Sequence, residues 1–441
     1  MRSLLIAALL TTAISPVMAQ TANPVDKAAV GPVKPTAKNG PEIGDFGFDM
    51  AGRDTAVKPG DDFFDYSNGT WYKSTTIPAD RSSYGMFHVL QDRSLEQTRT
   101  ILDEATKQPG NKAGDFYSSF MDEAAVNAKG ATPVKPWLSA IKGTKSRDAL
   151  AIEMAKLQRQ GVGSPFGVYI GQDDKAPDTY IPNFGQSGLG LPDRDYYLKD
   201  DAKLATIRTA YQAYLARMLT LAGEPNAEAR AAAVFNFEKA MANVHWTRIE
   251  SRDADKTYNK WLASDFTAKA PGFPWAQYMQ TLGVAGRPAY LVAQPSAITG
   301  EAKLYSETPL NVLQDYAMLK VLRSYAGYLS SDFDKTNFAF YGTTLSGTPQ
   351  QQARWKRGVN LVSDGLGEEV GKQYVAKYFP PESKAAADAL VKNLIGAMGD
   401  RLRNLEWMAP ETKQKALAKL AAFTPKIGYP DKWKDYSALT I

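Results

Sequence analysis

The chain has no cysteine and only two histidines, His88 and His245, in 441 residues. Without cysteine there are no disulfides, no thiol nucleophile and no thiolate-held zinc or iron–sulfur cluster. With two imidazoles, any two-histidine metal site must bring both together, and a three-histidine site is excluded. Charge of one sign is scarce too: 52 Lys and Arg against 47 Asp and Glu leave a net charge of +5, too balanced for nucleic-acid binding by bulk charge. No apolar run is long enough to cross a bilayer, no repeat recurs at a fixed period, and no low-complexity tract lies beyond the N-terminal leader. What is present, 44% hydrophobic and 22% charged residues, is an ordinary globular composition that excludes a disordered or fibrous chain.

The first nineteen residues read as a signal peptide. Arg2 supplies the positive start, Leu4 to Ile14 a short apolar core, and Val17-Met18-Ala19 a small-residue cleavage site. Cleavage there removes Arg2 and leaves a mature charge of 5 − 1 = +4. Export combined with the absence of cysteine points to a periplasmic or secreted bacterial protein with no transmembrane segment after cleavage. Residues 20–44, with Pro24, Pro32, Pro35 and Pro41 and no apolar periodicity, read as a flexible leader. Folded structure is expected from Asp45.

Helical patterning dominates from there. Leu204, Ile207, Tyr211, Tyr214, Leu215, Met218 and Leu219 lay one apolar face along a helix from about Ala202 to Ala222, and Val234, Phe237, Met241 and Val244 do so for Ala227 to Val244. Thr308-Pro309 and Thr348-Pro349 read as helix starts, the second with Gln351 as a capping box, for helices reaching roughly Leu329 and Phe379. Gly358, Gly365, Gly367 and Gly371 predict a kink in the second. Two further helices are expected at about Lys384 to Leu405 and Glu411 to Phe423. Strand signals are confined to Phe166–Ile170, Thr179–Ile181 and Ala289–Val292. The expected fold is therefore mainly α with a small β element.

No complete catalytic template fits. His88 is followed by Val89-Leu90-Gln91-Asp92 and His245 by Trp246-Thr247-Arg248-Ile249, so neither opens the His-Glu-x-x-His zinc helix, and both read as exposed or capping histidines. Leu361-Val362-Ser363-Asp364-Gly365 and Gly185-Gln186-Ser187-Gly188-Leu189 each lack one glycine of the nucleophile elbow. Gly185, Gly188 and Gly190 precede Leu191-Pro192 and not a helix, which reads as a turn and not a phosphate loop. The acid pairs Asp61/Asp62, Asp193/Asp195 and Glu368/Glu369 would serve glycoside hydrolysis only if opposed across a cleft, and adjacent acids usually cap helices or face solvent.

Ordered blocks of sequence carry the reading further. Lys58-Pro59-Gly60-Asp61-Asp62-Phe63-Phe64-Asp65-Tyr66-Ser67-Asn68-Gly69-Thr70-Trp71, Tyr84-Gly85-Met86-Phe87, Gly190-Leu191-Pro192-Asp193-Arg194-Asp195-Tyr196-Tyr197, Tyr341-Gly342-Thr343-Thr344 and Ile427-Gly428-Tyr429-Pro430-Asp431 occur in this order. In them the chain resembles the neprilysin-like zinc metalloendopeptidases, from about Asp45 to Ile441. That resemblance implies a strip of the catalytic lobe at 45–80, a large helical lobe at 81–430 that covers the active-site chamber and admits small peptides, and a connector at 431–441 towards a catalytic lobe. The family's zinc ligands and its water-activating glutamate would lie beyond the matched region. The chain is then expected to supply no catalytic residue, to bind no zinc itself, and to be inactive alone. Where mammalian members place an arginine and an aspartate around Tyr-Gly-x-Phe, this chain has Ser83 and His88, so that carboxylate contact does not carry over. Arg81, two residues earlier, is the candidate cation for a peptide carboxylate. The alternative is a stand-alone, non-catalytic helical module that binds peptides or a partner. Pro430 to Ile441, with Trp433, Tyr436 and Leu439 expected to lack a partner element, favours the first reading.

Overall fold

The computed structural model describes residues 49–440; the signal peptide, the leader and the first residues of the 45–80 strip lie outside them. The chain divides between Thr76 and Ile77 into two units. In the first, the Asp49 carboxylate caps the 3-10 turn Met50–Gly52 and Asp62 caps α1 (Phe63–Ser74) by accepting from the Asp65 amide at 2.9 Å. Lys73 closes on Asp54 at 2.6 Å and Thr70 Oγ1 donates to the Arg53 carbonyl, fixing the turn on the helix.

The second unit is mainly helical. It runs α2 (Met86–Ala105), α3 (Lys112–Met121), α4 (Glu123–Lys129), α5 (Lys135–Gly143), α6 (Arg147–Arg159), β1 (Phe166–Asp173), β2 (Ala176–Gln186), α7 (Asp195–Leu198), α8 (Ala202–Leu221) and α9 (Ala227–Val244). Then come β3 (Asn259–Trp261), α10 (Ala263–Lys269), α11 (Trp275–Leu282), β4 (Tyr290–Val292), α12 (Pro295–Glu307), α13 (Leu310–Tyr325), α14 (Ser331–Phe338), a π-helical segment (Ala339–Leu345), α15 (Arg354–Tyr378), α16 (Pro381–Asn404) and α17 (Pro410–Ala421). The sheet order is β1-β2-β4-β3; β1 and β2 form an antiparallel hairpin, while β2 and β4 pair in parallel through Asn183 with Leu291 and Phe184 with Val292. One core is aromatic where the sheet meets the helices: Phe166 lies 4.6 Å from Trp275 and Phe184 4.9 Å from Phe266, ring centre to ring centre. A smaller core of Leu95, Leu102, Tyr117, Val359, Val362 and Val370 binds α2 and α3 to α15.

The helices read from 3.6-residue periodicity are there as α8 and α9, and α15 kinks inside its glycine run at Leu366 (φ −125°, ψ 31°). The capping signals are corrected. Thr308 Oγ1 donates back to the Leu304 carbonyl and closes α12, leaving α13 to begin after Pro309. The Thr348-Gln351 box starts nothing: the Gln350 amide donates to Ala79, the Thr348 amide to Gly342, and Gln351 Nε2 to Asp334, so tertiary bonds keep this stretch out of the helix until Arg354. The C-terminal aromatics are not partnerless either. Trp433 stacks on Tyr429 and packs over Gly371 of α15, and Tyr436 joins the smaller core while its carbonyl accepts from Lys112 at 2.6 Å.

Candidate functional site

The block Gly190 to Tyr197 is held by a buried polar hub. Glu238 of α9, 1% exposed, accepts from the Tyr197 and Tyr211 hydroxyls at 2.8 Å each and from Lys320 Nζ of α13 at 2.7 Å. The Tyr197 hydroxyl in turn accepts from the Gly190 and Leu191 amides at 3.0 and 2.9 Å. The Gly190 carbonyl receives Arg323 at 3.2 Å and Tyr341 of the π-helical segment at 3.0 Å, and the Gly188 carbonyl receives Tyr316 at 2.8 Å. Both glycines are required. A Cβ on Gly190 would lie 1.6 Å from the Tyr211 hydroxyl, and Gly188 has φ +89° with the Tyr316 hydroxyl 2.4 Å from where a Cβ would stand. Burial, and after it the Glu238 charge, pushes the Tyr197, Tyr211 and Tyr316 hydroxyls well above the ordinary tyrosine value, so they remain protonated donors. The hub is saturated: it fixes a loop and leaves no group free to react.

Beside that loop His245 holds a capping position, as the C-cap residue of α9 with its amide bonded to the Met241 carbonyl, but it is buried and not exposed as expected. It is 7% exposed, at the C-terminal end of α9, with Nε2 2.5 Å from Glu301 Oε1. Burial first and Arg194 second push His245 down to about 4, while burial raises Glu301 well above its ordinary value. Both shifts favour the neutral pair, in which a protonated Glu301 faces Nε2 as the donor. His88 is half-buried on α2, stacked on Tyr84 at 5.9 Å, with Nδ1 buried and unbonded, so it is neither exposed nor capping. The two histidines share no site, and among the described residues no group of three or more His, Asp or Glu side chains could hold a metal. These residues do not fit a zinc centre.

Arg81, the candidate carboxylate receptor, is not a solvated cation. Its side chain is 6% exposed, bonded through Nη2 to Asp92 and 3.8 Å from Asp80, and Lys356 contacts both acids. Nε and Nη1 are buried and donate to no protein acceptor among the described residues. Ser83 is exposed nearby. The acid pairs serve locally: Asp62 caps α1, Asp193 accepts from the Asp195 amide at 2.8 Å, and Glu368 accepts from the Lys434 amide at 2.6 Å. Sequence reasoning missed Glu238 and Lys320, although a signal exists. Each is a charge set inside an apolar stripe, between Phe237 and Met241 and between Leu319 and Val321.

Comparison with known proteins gives a consistent result. The profile of Peptidase family M13 matches residues 59–430. Neprilysin-2 of Drosophila melanogaster is 28% identical over 420 residues, which cover 87% of this chain and 53% of that protein. Endothelin-converting enzyme 1 of Mus musculus is 27% identical over 397 residues, 86% of this chain and 51% of that protein. Among solved structures, the zinc metalloprotease ZMP1 of Mycobacterium tuberculosis in complex with inhibitor superposes with a TM-score of 0.81 and 36% identity, over 88% of this chain and 60% of that one. The chain spans about half the length of the curated relatives it matches.

Proposed function

The chain belongs to peptidase family M13, and from that membership we propose that it is the N-terminal, chamber-covering part of an exported zinc endopeptidase acting on small peptides. The observation that carries the reading is the match itself: one family profile spans nearly the whole described chain, while that chain accounts for about half of each curated relative. Zinc, when bound in the whole enzyme, would polarise the scissile carbonyl and lower the pKa of its water. The residues described here hold no set of ligands for it. Their part is to enclose the peptide, exclude long chains and bind substrate groups remote from the reacting bond.

The proposal extends to particular residues. Residues 45–80 are proposed as the strip of the catalytic lobe. On α16, Leu390, Leu394 and Met398 are exposed at four-residue spacing, an apolar stripe suited to docking a further lobe. Arg81 is proposed to receive a peptide carboxylate through Nε and Nη1, the two buried donors that make no hydrogen bond, Nε lying 3.8 Å from Asp80. Residues 1–19 are proposed as a signal peptide that sends the enzyme to the periplasm or outside the cell, with Gln20 as the mature N-terminus. The reading frame beyond Ile441 tests the proposal: a His-Glu-x-x-His codon run supports it, and a stop codon directly after Ile441 removes it.

A further inference from the structure

A cavity of about 320 Å³ opens between the loop at 187–194 and the segment at 245–251. Its loop wall is the one the Glu238 hub clamps, so it is preformed. Arg194 lines it, half-buried, with Nε donating to the Ala242 carbonyl of α9 at 3.2 Å. That bond orients the guanidinium and leaves its two terminal nitrogens free to act together. Among the described residues Arg194 has no ion-pair partner within 4 Å: Asp193 faces Arg248 at 3.3 Å and the Asp195 amide at 2.8 Å, and Glu250, which feels Arg194 only at longer range, accepts from the Thr247 amide and hydroxyl. Ser251 also belongs to the lining, and its Oγ, withdrawn from solvent, makes no hydrogen bond. Ser251 Oγ is a buried unsatisfied group and the half-exposed Arg194 fork an unpaired donor, and an oxyanion with acceptor lone pairs would accept from both once the Ser251 hydroxyl turns to the cavity.

The remaining lining selects among oxyanions. Arg194 and Arg248 are balanced by Asp193 and by Glu250, whose carboxyl the Thr247 hydrogen bonds hold low with help from Arg194, so a second negative charge on a ligand would go uncompensated, and Leu189 and Trp246 supply apolar surface. That suits a monoanion carrying an apolar attachment better than a phosphate dianion. Arg248, at the rim with 70% of its side chain exposed, adds attraction without a fixed bond. The geometry points to a second peptide site: this cavity takes a peptide carboxylate, terminal or side-chain, on the Arg194 fork and Ser251 Oγ, with the neighbouring residue against Trp246 and Leu189. The choice of peptide as ligand rests on the peptidase reading above. The site itself is separate from Arg81 in sequence and in its lining.

Calorimetric titration of the purified chain tests it with N-acetyl-Ala-Ala-Leu, the same peptide amidated, an amidated peptide with an internal glutamate, and inorganic phosphate. All four are run in the wild type and in Arg81→Ala, so the two guanidiniums are separated. The free-carboxylate peptide should bind, and amidation should weaken it by about tenfold or more, the worth of a charge-assisted bond. The internal-glutamate peptide tells a side-chain source from a terminal one. Arg194→Gln should lose about tenfold, Arg194→Lys an intermediate amount, and Ser251→Ala several-fold. Ser251→Ala removes no existing bond and so guards against a folding artefact. Equal binding of free and amidated peptides, tighter binding of phosphate than of any peptide, or unchanged affinity in both the Arg194 and Ser251 variants would overturn the site. Binding is read without hydrolysis, so an inactive chain leaves this result standing, and an active enzyme that fails the titration loses this site alone.

Discussion

Replacing Glu238 should expose how strongly the Gly190–Tyr197 block depends on one carboxylate. Glu238→Leu leaves Lys320 as a buried ammonium without its partner and strips the acceptor from two tyrosine hydroxyls. Breaking a buried pair by removing one member costs about 3–5 kcal/mol, and each orphaned hydroxyl about 1 kcal/mol or more. These terms share partners and do not simply add, so the expected loss is about 5 kcal/mol. Glu238→Gln keeps an acceptor for the tyrosines and still strands Lys320, for about 3 kcal/mol. The double variant Glu238→Gln, Lys320→Met removes both charges and keeps the acceptor, and should cost less than Glu238→Gln alone, a coupling of about 2 kcal/mol or more. Urea unfolding, read as a shift in midpoint at constant slope, gives the energies. Hydrogen exchange at the Gly190 and Leu191 amides, both bonded to the Tyr197 hydroxyl, should quicken in Glu238→Leu before the rest of the fold opens. Single and double effects that add within about 0.5 kcal/mol would refute the hub as a coupled unit.

His245 should make the fold acid-sensitive. Its folded pKa is depressed to about 4, below the unfolded value of 6.5, so its own contribution is present above 6.5 and is lost as pH falls from there to about 4; Glu301, whose pKa burial raises, acts in the opposite direction, so the His245 part is the difference between wild type and His245→Gln. The loss reaches about 3 kcal/mol, and His245→Gln should flatten that part of a stability-against-pH curve; an unchanged slope would contradict the assignment. Gly190→Ala must push the Tyr211 hydroxyl off Glu238 and should lower stability by about 3 kcal/mol, whereas a midpoint within experimental error of wild type would deny the close approach. In the whole enzyme, Arg81→Ala should raise KM for peptides with a free C-terminus and leave amidated ones nearly unchanged, and equal effects on both would remove Arg81 from substrate recognition.

The legible part of this fold is the part written in local periodicity. α8, α9 and the α15 kink depend on apolar spacing and glycine content within one segment, and they stand where those patterns put them. At Thr308 the helix starts where expected, after Pro309, but the hydroxyl bonds back to Leu304 and caps nothing, while the start at Thr348 failed because its amide bonds to Gly342 and Gln351 to Asp334. β3 has only three residues, Asn259-Lys260-Trp261, and exists because β4 pairs with it. The site divides in the same way. The Gly190 block stood out as a motif, yet its partners Glu238, Lys320 and Tyr341 come from three other segments, and only the odd charge in an apolar stripe hinted at two of them. His245 looked exposed because the acid that buries it, Glu301, lies 56 residues away.

The central claim is that this chain encloses and binds peptides while the metal chemistry depends on residues outside it. Chelator-sensitive hydrolysis of a fluorogenic peptide by the purified chain tests this most directly. The account predicts no hydrolysis above buffer with or without added zinc. Turnover that zinc supports and a chelator abolishes would contradict it, and would mean that His88, His245 and the carboxylates assigned here to caps and ion pairs assemble a catalytic centre.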